Sequence, residues 1–137
     1  MTADPAPRKP MRNAFGKLIG LRIDSSADGV CHAHLEYRED LCNPHGVMHG
    51  GVMFSLADTG MGAALYPLLK PGESCATVEM KINFLKPVTR GRLSSETTVL
   101  RRGRTTAVLE SRLMIDEDLV GVALGTYAIF PLPPSFT

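Results

Sequence analysis

The chain has 137 residues and a mass of 14.8 kDa, which is the size of one domain and long enough to bury a core without covalent staples. Hydrophobic residues make up 44% and charged residues 21%, a balance that excludes disorder along the whole length. A net charge of +1 supplies no overall field that would drive the protein onto nucleic acid or a membrane surface.

Residues 1–10 hold three prolines and no apolar run, and read as a flexible N-terminal tail without a secretory signal. One domain is expected over residues 11–130, with a second tail over 131–137. Asn13–Ile19 reads as a short helix. Leu21–Ser26 and Val30–Tyr37 read as strands joined by an Asp28-Gly29 turn. In the second strand Cys31, Ala33, Leu35 and Tyr37 share one face, and His32, His34 and Glu36 share the other. That polar face reads as solvated surface rather than a metal site, and no metal is expected. Three cysteines (Cys31, Cys42, Cys75) without a Cys-x-x-Cys pair argue against a disulfide scaffold or a zinc knuckle, and fit a reducing, cytoplasmic setting.

Met48–Leu65 has the length and composition of a helix that stops before Pro67. It is apolar nearly all round, so it is expected to be wrapped by other elements. Its internal Asp58 and its glycines argue against a membrane span. Four strands follow, over Ser74–Leu85, Leu93–Arg101, Thr105–Asp116 and Leu119–Phe130, the last three separated by tight turns that imply antiparallel neighbours. Ser74–Leu85 alternates Ala76, Val78, Met80, Ile82 and Phe84 against Thr77, Glu79, Lys81 and Asn83. The expected fold is α+β: a curled antiparallel sheet wrapped around one long central helix.

Asp58 is the anomaly in that helix. A carboxylate in an apolar segment costs several kcal/mol unless it is paired, hydrated or used. It is read either as an edge carboxylate facing water or bonded to Thr59 and a neighbouring backbone amide, or as a catalytic acid/base or nucleophile at an interface. Directly upstream, Asn43-Pro-His-Gly46-Val-Met-His49-Gly50-Gly51 feeds glycines into the start of the helix. The first amides of a helix lack intrahelical acceptors and sit at the positive end of its dipole, so they suit an anion or a carbonyl oxygen. Gly50 and Asp58 are eight residues apart, or ~12 Å along a helix axis. They cannot both reach one carbonyl within a chain. A two-fold dimer with antiparallel helices side by side would let each Asp58 approach the other subunit's Gly50.

The run Asn43-x-x-Gly46-x-x-His49-Gly50-Gly51-x-x-Phe54-x-Leu56-Ala57-Asp58, with Phe84-Leu85-x-Pro87 and Arg101-Arg102-Gly103-Arg104-Thr105 further on, resembles the hot-dog-fold acyl-CoA thioesterases of the PaaI-like, phenylacetate-degradation group. The resemblance covers roughly residues 40–130. It implies a hot-dog homodimer, usually paired into a homotetramer, that hydrolyses an acyl or aryl thioester of coenzyme A. It implies that the Gly50 amide polarises the carbonyl, and that Asp58 of the partner chain is general base or nucleophile. Asn43 would hold the water or orient substrate, His49 would support the loop or lie near the sulfur, and Thr77 would stand beside the acid. No cofactor is expected, since the CoA is part of the substrate.

From Lys86 to Arg104 six cations (Lys86, Arg90, Arg92, Arg101, Arg102, Arg104) face one acid, Glu96, which puts +5 on this segment and −4 on the rest of the chain. Forked arginine donors suit phosphate, and turn amides at Gly103 add to them. The expected CoA-binding set is therefore Arg90, Arg101, Arg102, Gly103 and Arg104, with Gly51, Phe84 and Thr105 added by the resemblance. The patch has no interleaved aromatics, which argues against RNA. Two other functions fit less well: a catalytically silent acyl-CoA-binding module, and a dehydratase acting on hydroxyacyl thioesters.

Overall fold

The computed structural model describes residues 13–133. The elements follow the expected order: α1 (Ala14–Ile19), β1 (Arg22–Ala27), β2 (Val30–Glu36), α2 (Gly50–Leu65), β3 (Glu73–Phe84), β4 (Arg92–Arg102), β5 (Thr106–Ile115) and β6 (Asp118–Pro131). Short 3-10 turns at Glu39–Leu41 and Tyr66–Leu68 flank the α2 region. The expected N-terminal tail lies outside the described residues, as do residues 134–137. β6 runs one residue into the segment expected as a C-terminal tail, and the Leu132 N–H donates to Gly72 O at 2.7 Å.

All six strands form one antiparallel sheet in the order β1-β2-β4-β5-β6-β3. The β1–β2 hairpin closes on Asp28 (φ 54°) and Gly29 (φ 76°), the paired positive angles that an Asp-Gly turn accommodates. α2 lies across one face of the sheet and packs against every strand. Its buried residues Met53, Leu56, Ala57, Gly60, Met61, Ala64 and Leu65 repeat at helical spacing. They meet alternate strand residues, among them Cys31, Leu35, Leu93, Leu109 and Leu113, all fully buried.

Small residues set how closely the layers approach. A Cβ on Gly60 would stand 2.8 Å from Thr97 Oγ1, and one on Gly125 of β6 would stand 2.7 Å from Met61 Sδ. Thr97, buried under the helix, satisfies its hydroxyl by donating to Ser111 Oγ at 2.9 Å.

Two local differences from the sequence expectation bear on the site. The helix starts at Gly50, because Met48 is held extended in a bridge to Cys42 and His49 is the N-cap. In β3 the alternation breaks at a bulge: Thr77 pairs with Tyr127 and Glu79 with Thr126, leaving Val78 unpaired. The bulge shifts the face on which later residues fall. The sheet covers one face of α2, while Phe54, Ser55, Asp58, Thr59 and Gly62 on its other side keep partial exposure. No described helix is long and apolar enough to cross a membrane.

Candidate active site

The loop before α2 is organised by Asn43. Its Oδ1 accepts the backbone N–H groups of His45 (2.9 Å) and Val47 (3.3 Å), while its own N–H donates to Val47 O at 2.8 Å. Gly46 sits at φ 76° within this turn. The loop is then pinned to its neighbours: Met48 N–H donates to Val88 O and His49 N–H to Leu41 O, both at 2.8 Å. His49 Nδ1 accepts the Gly51 N–H at 2.8 Å and so caps the helix. With Nδ1 an acceptor, the ring proton of neutral His49 sits on Nε2.

The Gly50 N–H, one residue earlier, has no acceptor among the described residues. Gly50 lines a cleft of about 400 Å³ together with Asn43, Val47, Met48, Met53 and Phe84–Val88. Phe84 crosses directly over it, so that a Cβ on Gly50 would lie 2.8 Å from the ring. The glycine therefore leaves the amide approachable beneath an aromatic edge. Asn43, His49, Gly50, Gly51 and Phe84, all expected at the site, gather at this end of the helix.

Asp58 is half-buried two turns further along α2, and two hydroxyls converge on it. Thr77 Oγ1 donates to Oδ1 at 2.7 Å, and the Tyr127 hydroxyl stands 2.6 Å from the same Oδ1 and 2.7 Å from the Asp58 carbonyl oxygen. The register explains the convergence: Thr77 and Tyr127 are paired directly across β3 and β6, on the face that α2 covers. Tyr127 is only 3% exposed. Burial, and then the hydrogen bond to the Asp58 carboxylate, push its ionisation far above the usual phenol range, with the Thr77 hydroxyl acting the other way. The phenol therefore stays protonated and donates. Asp58, Thr59, Gly62, Ala63 and Tyr127 line a second cleft of about 400 Å³ with Asn13 and Ile23.

The two halves thus open into different clefts of one chain. Sequence reasoning placed Asp58 and Thr77 but missed Tyr127. In an alternating strand a tyrosine reads as core, and its one available signal was sharing a strand parity with the helix-facing Ala123 and Ile129.

The basic residues do not gather within the chain. Arg90 precedes β4 and lines a small cleft of about 130 Å³ with Lys86 and Asp118. Arg101, Arg102 and Arg104 lie at the opposite end of β4, roughly 35 Å away for a strand of this length. Arg104 and Thr105 line a cleft of about 370 Å³ with Glu73 and Phe130. Arg102 is engaged structurally: its guanidinium pairs with Glu73 and donates to Gly103 O at 2.7 Å. The Lys70 backbone N–H, first, and then Arg102 hold the Glu73 carboxyl below the usual carboxylate range. His32 and His34 are spent on surface contacts, His32 with Glu96 and Ser25, His34 with Asp24.

Residues 45–122 match the model of the thioesterase superfamily. The chain is 32% identical to protein SSO1253 of Saccharolobus solfataricus over 113 residues, covering 82% of this chain and 75% of that one. Among solved structures it is similar to the conserved protein PA5202 of Pseudomonas aeruginosa (TM-score 0.84, 36% identity, 88% of this chain and 96% of that one). It is also similar to the thioesterase HI1161 of Haemophilus influenzae (TM-score 0.83, 26% identity, 88% and 85%). A family match over more than half the length, and one six-stranded sheet curled on one long helix, agree. The chain belongs to the thioesterase superfamily, as a thioester hydrolase with the hot-dog fold.

Proposed function

We propose that this protein hydrolyses an acyl- or aryl-CoA thioester to the free acid and CoA, in a site made by two copies of the chain. One observation carries the reading. A single helix presents an amide without an acceptor among the described residues at its first residue, Gly50, and a doubly hydrogen-bonded carboxylate, Asp58, ~12 Å along its axis. The family supports thioester chemistry, and that spacing favours pairing each half with its complement on a two-fold-related chain. The exposed side of α2 around Phe54, Asp58 and Thr59 is the surface such a partner would cover. Two dimers then pair into a homotetramer in this reading.

The thioester carbonyl oxygen accepts the Gly50 N–H, which stabilises the negative charge that develops there during attack. Asp58 of the other chain takes a proton from water as the hydroxide adds to the carbonyl carbon. The tetrahedral intermediate then collapses, the C–S bond breaks and CoA leaves as its thiolate. Alternatively the carboxylate itself attacks, the C–S bond breaks, and water hydrolyses the resulting anhydride. Asn43 closes the loop beside Gly50, and its amide nitrogen is left to orient water or substrate. His49 holds the helix start, and Thr77 holds Asp58. The CoA phosphates fall to the arginines, with exposed Arg101 and Arg104 placed better than the paired Arg102. The reaction uses no cofactor beyond the CoA of the substrate.

Incubation with benzoyl-, hydroxyphenylacetyl- and hexanoyl-CoA, with a thiol reagent reading released CoA, tests the proposal. Catalytic CoA release supports it. Binding without release would make the chain a silent acyl-CoA module, and hydration of crotonyl-CoA would make it a dehydratase.

A further inference from the structure

We infer that Tyr127 is a positioning residue that, with Thr77, fixes the Asp58 carboxylate through one oxygen and leaves the other, Oδ2, as its only reactive atom. The inference rests on the reading of Asp58 as base or nucleophile and goes beyond it by assigning the work to one oxygen and a role to a residue outside the expected site.

The geometry is specific. Both hydroxyls reach Oδ1, at 2.7 Å from Thr77 and 2.6 Å from Tyr127, and no described side chain donates to Oδ2. The Tyr127 hydroxyl has a second acceptor within reach, the Asp58 main-chain carbonyl at 2.7 Å. An ionised carboxylate is the stronger acceptor, and the helix already uses that carbonyl. Two incoming protons fill the in-plane lone pairs of Oδ1. A proton taken from water must therefore go to Oδ2, and in the anhydride route the new bond to the acyl carbon forms at Oδ2.

Tyr127 is suited to hold this arrangement. Its ring is buried between sheet and helix, and it stands on β6 directly opposite Thr77. Its single hydroxyl proton, given to Oδ1, ties the carboxylate to a ring held fast in the core. A buried tyrosine commonly finds some partner for its hydroxyl. Here the partner is the one carboxylate in the helix, shared with a second donor on the same oxygen.

Tyr127→Phe removes the hydroxyl and keeps the ring. If Tyr127 acts through Asp58, kcat falls roughly tenfold while KM stays within about twofold, the loss of one charge-assisted hydrogen bond at the reacting group. In an Asp58→Asn background the same change alters the residual kcat by less than about twofold, because the group it positions is gone. Equal losses in both backgrounds, a loss confined to KM, or no loss would overturn the inference. A wild-type protein that releases CoA beside a silent Tyr127→Phe overturns this inference alone. A wild-type protein that hydrolyses no thioester ends the reading of Asp58, and this inference with it. Should Tyr127→Phe fail to fold, proton NMR on the wild-type protein decides: a protected phenolic proton whose resonance moves in Asp58→Asn supports the contact, and its absence overturns it.

Discussion

Thr77 and Tyr127 face each other across β3 and β6, and both hydroxyls end on the same oxygen of Asp58. A helix, an edge strand and its neighbour are thereby joined at one atom. The bulge at Val78 makes this possible while the rest of β3 keeps its apolar contacts: Thr77 comes before it, and Met80 and Ile82 after it pack against the core from the same face.

Asp58→Asn keeps the volume and the acceptor oxygen but removes the charge. Turnover should fall by at least ~10²-fold if Asp58 is the base, with KM changed little. Steady-state CoA release over a range of thioester concentrations measures it, and unchanged turnover removes Asp58 from the mechanism.

Gly50 invites a pair of substitutions. It is the first helical residue, where proline is tolerated because the N–H has no helical acceptor. His49 before it is at φ −59° and ψ 134°, a conformation that a following proline permits. Gly50→Ala and Gly50→Pro both push against Phe84, but only proline removes the N–H. The proline variant should have kcat ~10²-fold below that of the alanine variant, with similar circular dichroism. Equal rates would show that the amide does not polarise the carbonyl.

The pairing of Glu73 with Arg102 ties the start of β3 to the β4–β5 turn. Because the folded state holds the Glu73 carboxyl below its ordinary value, this group stabilises the fold at neutral pH. That contribution is lost as pH falls through the depressed value. Glu73→Gln should therefore lower the Tm at pH 7, and the gap from wild type should narrow below about pH 4. Calorimetry at several pH values checks this; a gap that widens in acid contradicts it.

Cys31 is fully buried, and burial, then the Asp24 carboxylate, push its thiol up to about 11. At pH 8 a maleimide should modify Cys42 and Cys75, which are partly exposed, well before Cys31. Peptide mass spectrometry of the labelled native protein reads the order. Early labelling of Cys31 would contradict the packing of β2 beneath the helix.

Much of the architecture was legible in the residues. Period-two runs gave β2 and β3, segments set off by tight turns gave β4–β6, Asp28-Gly29 gave the hairpin, and the length of the apolar run gave α2. Asp58 announced itself because a carboxylate in such a run needs a reason. The bulge at Val78 was not legible, since Ala76, Val78, Met80 and Ile82 alternate without a break in the sequence. Tyr127 was missed for a related reason: its partner depends on β3 lying beside β6, a pairing of strands far apart in the chain. The basic segment shows the opposite failure. Lys86 to Arg104 is compact in sequence, but β4 runs through it and separates its cations to opposite ends of the sheet.

The most direct test of the central claim uses mixed assemblies. Asp58→Ala and Gly50→Pro chains, each inactive alone, are co-expressed with different tags so that subunit pairing can be verified. If every site takes Asp58 from one chain and Gly50 from the other, a mixed dimer carries one intact site of two. Random pairing of equal amounts then restores about one quarter of the wild-type rate. If both residues served a site within one chain, no pairing would restore an intact site. Verified mixed dimers with no recovered CoA release would contradict the account.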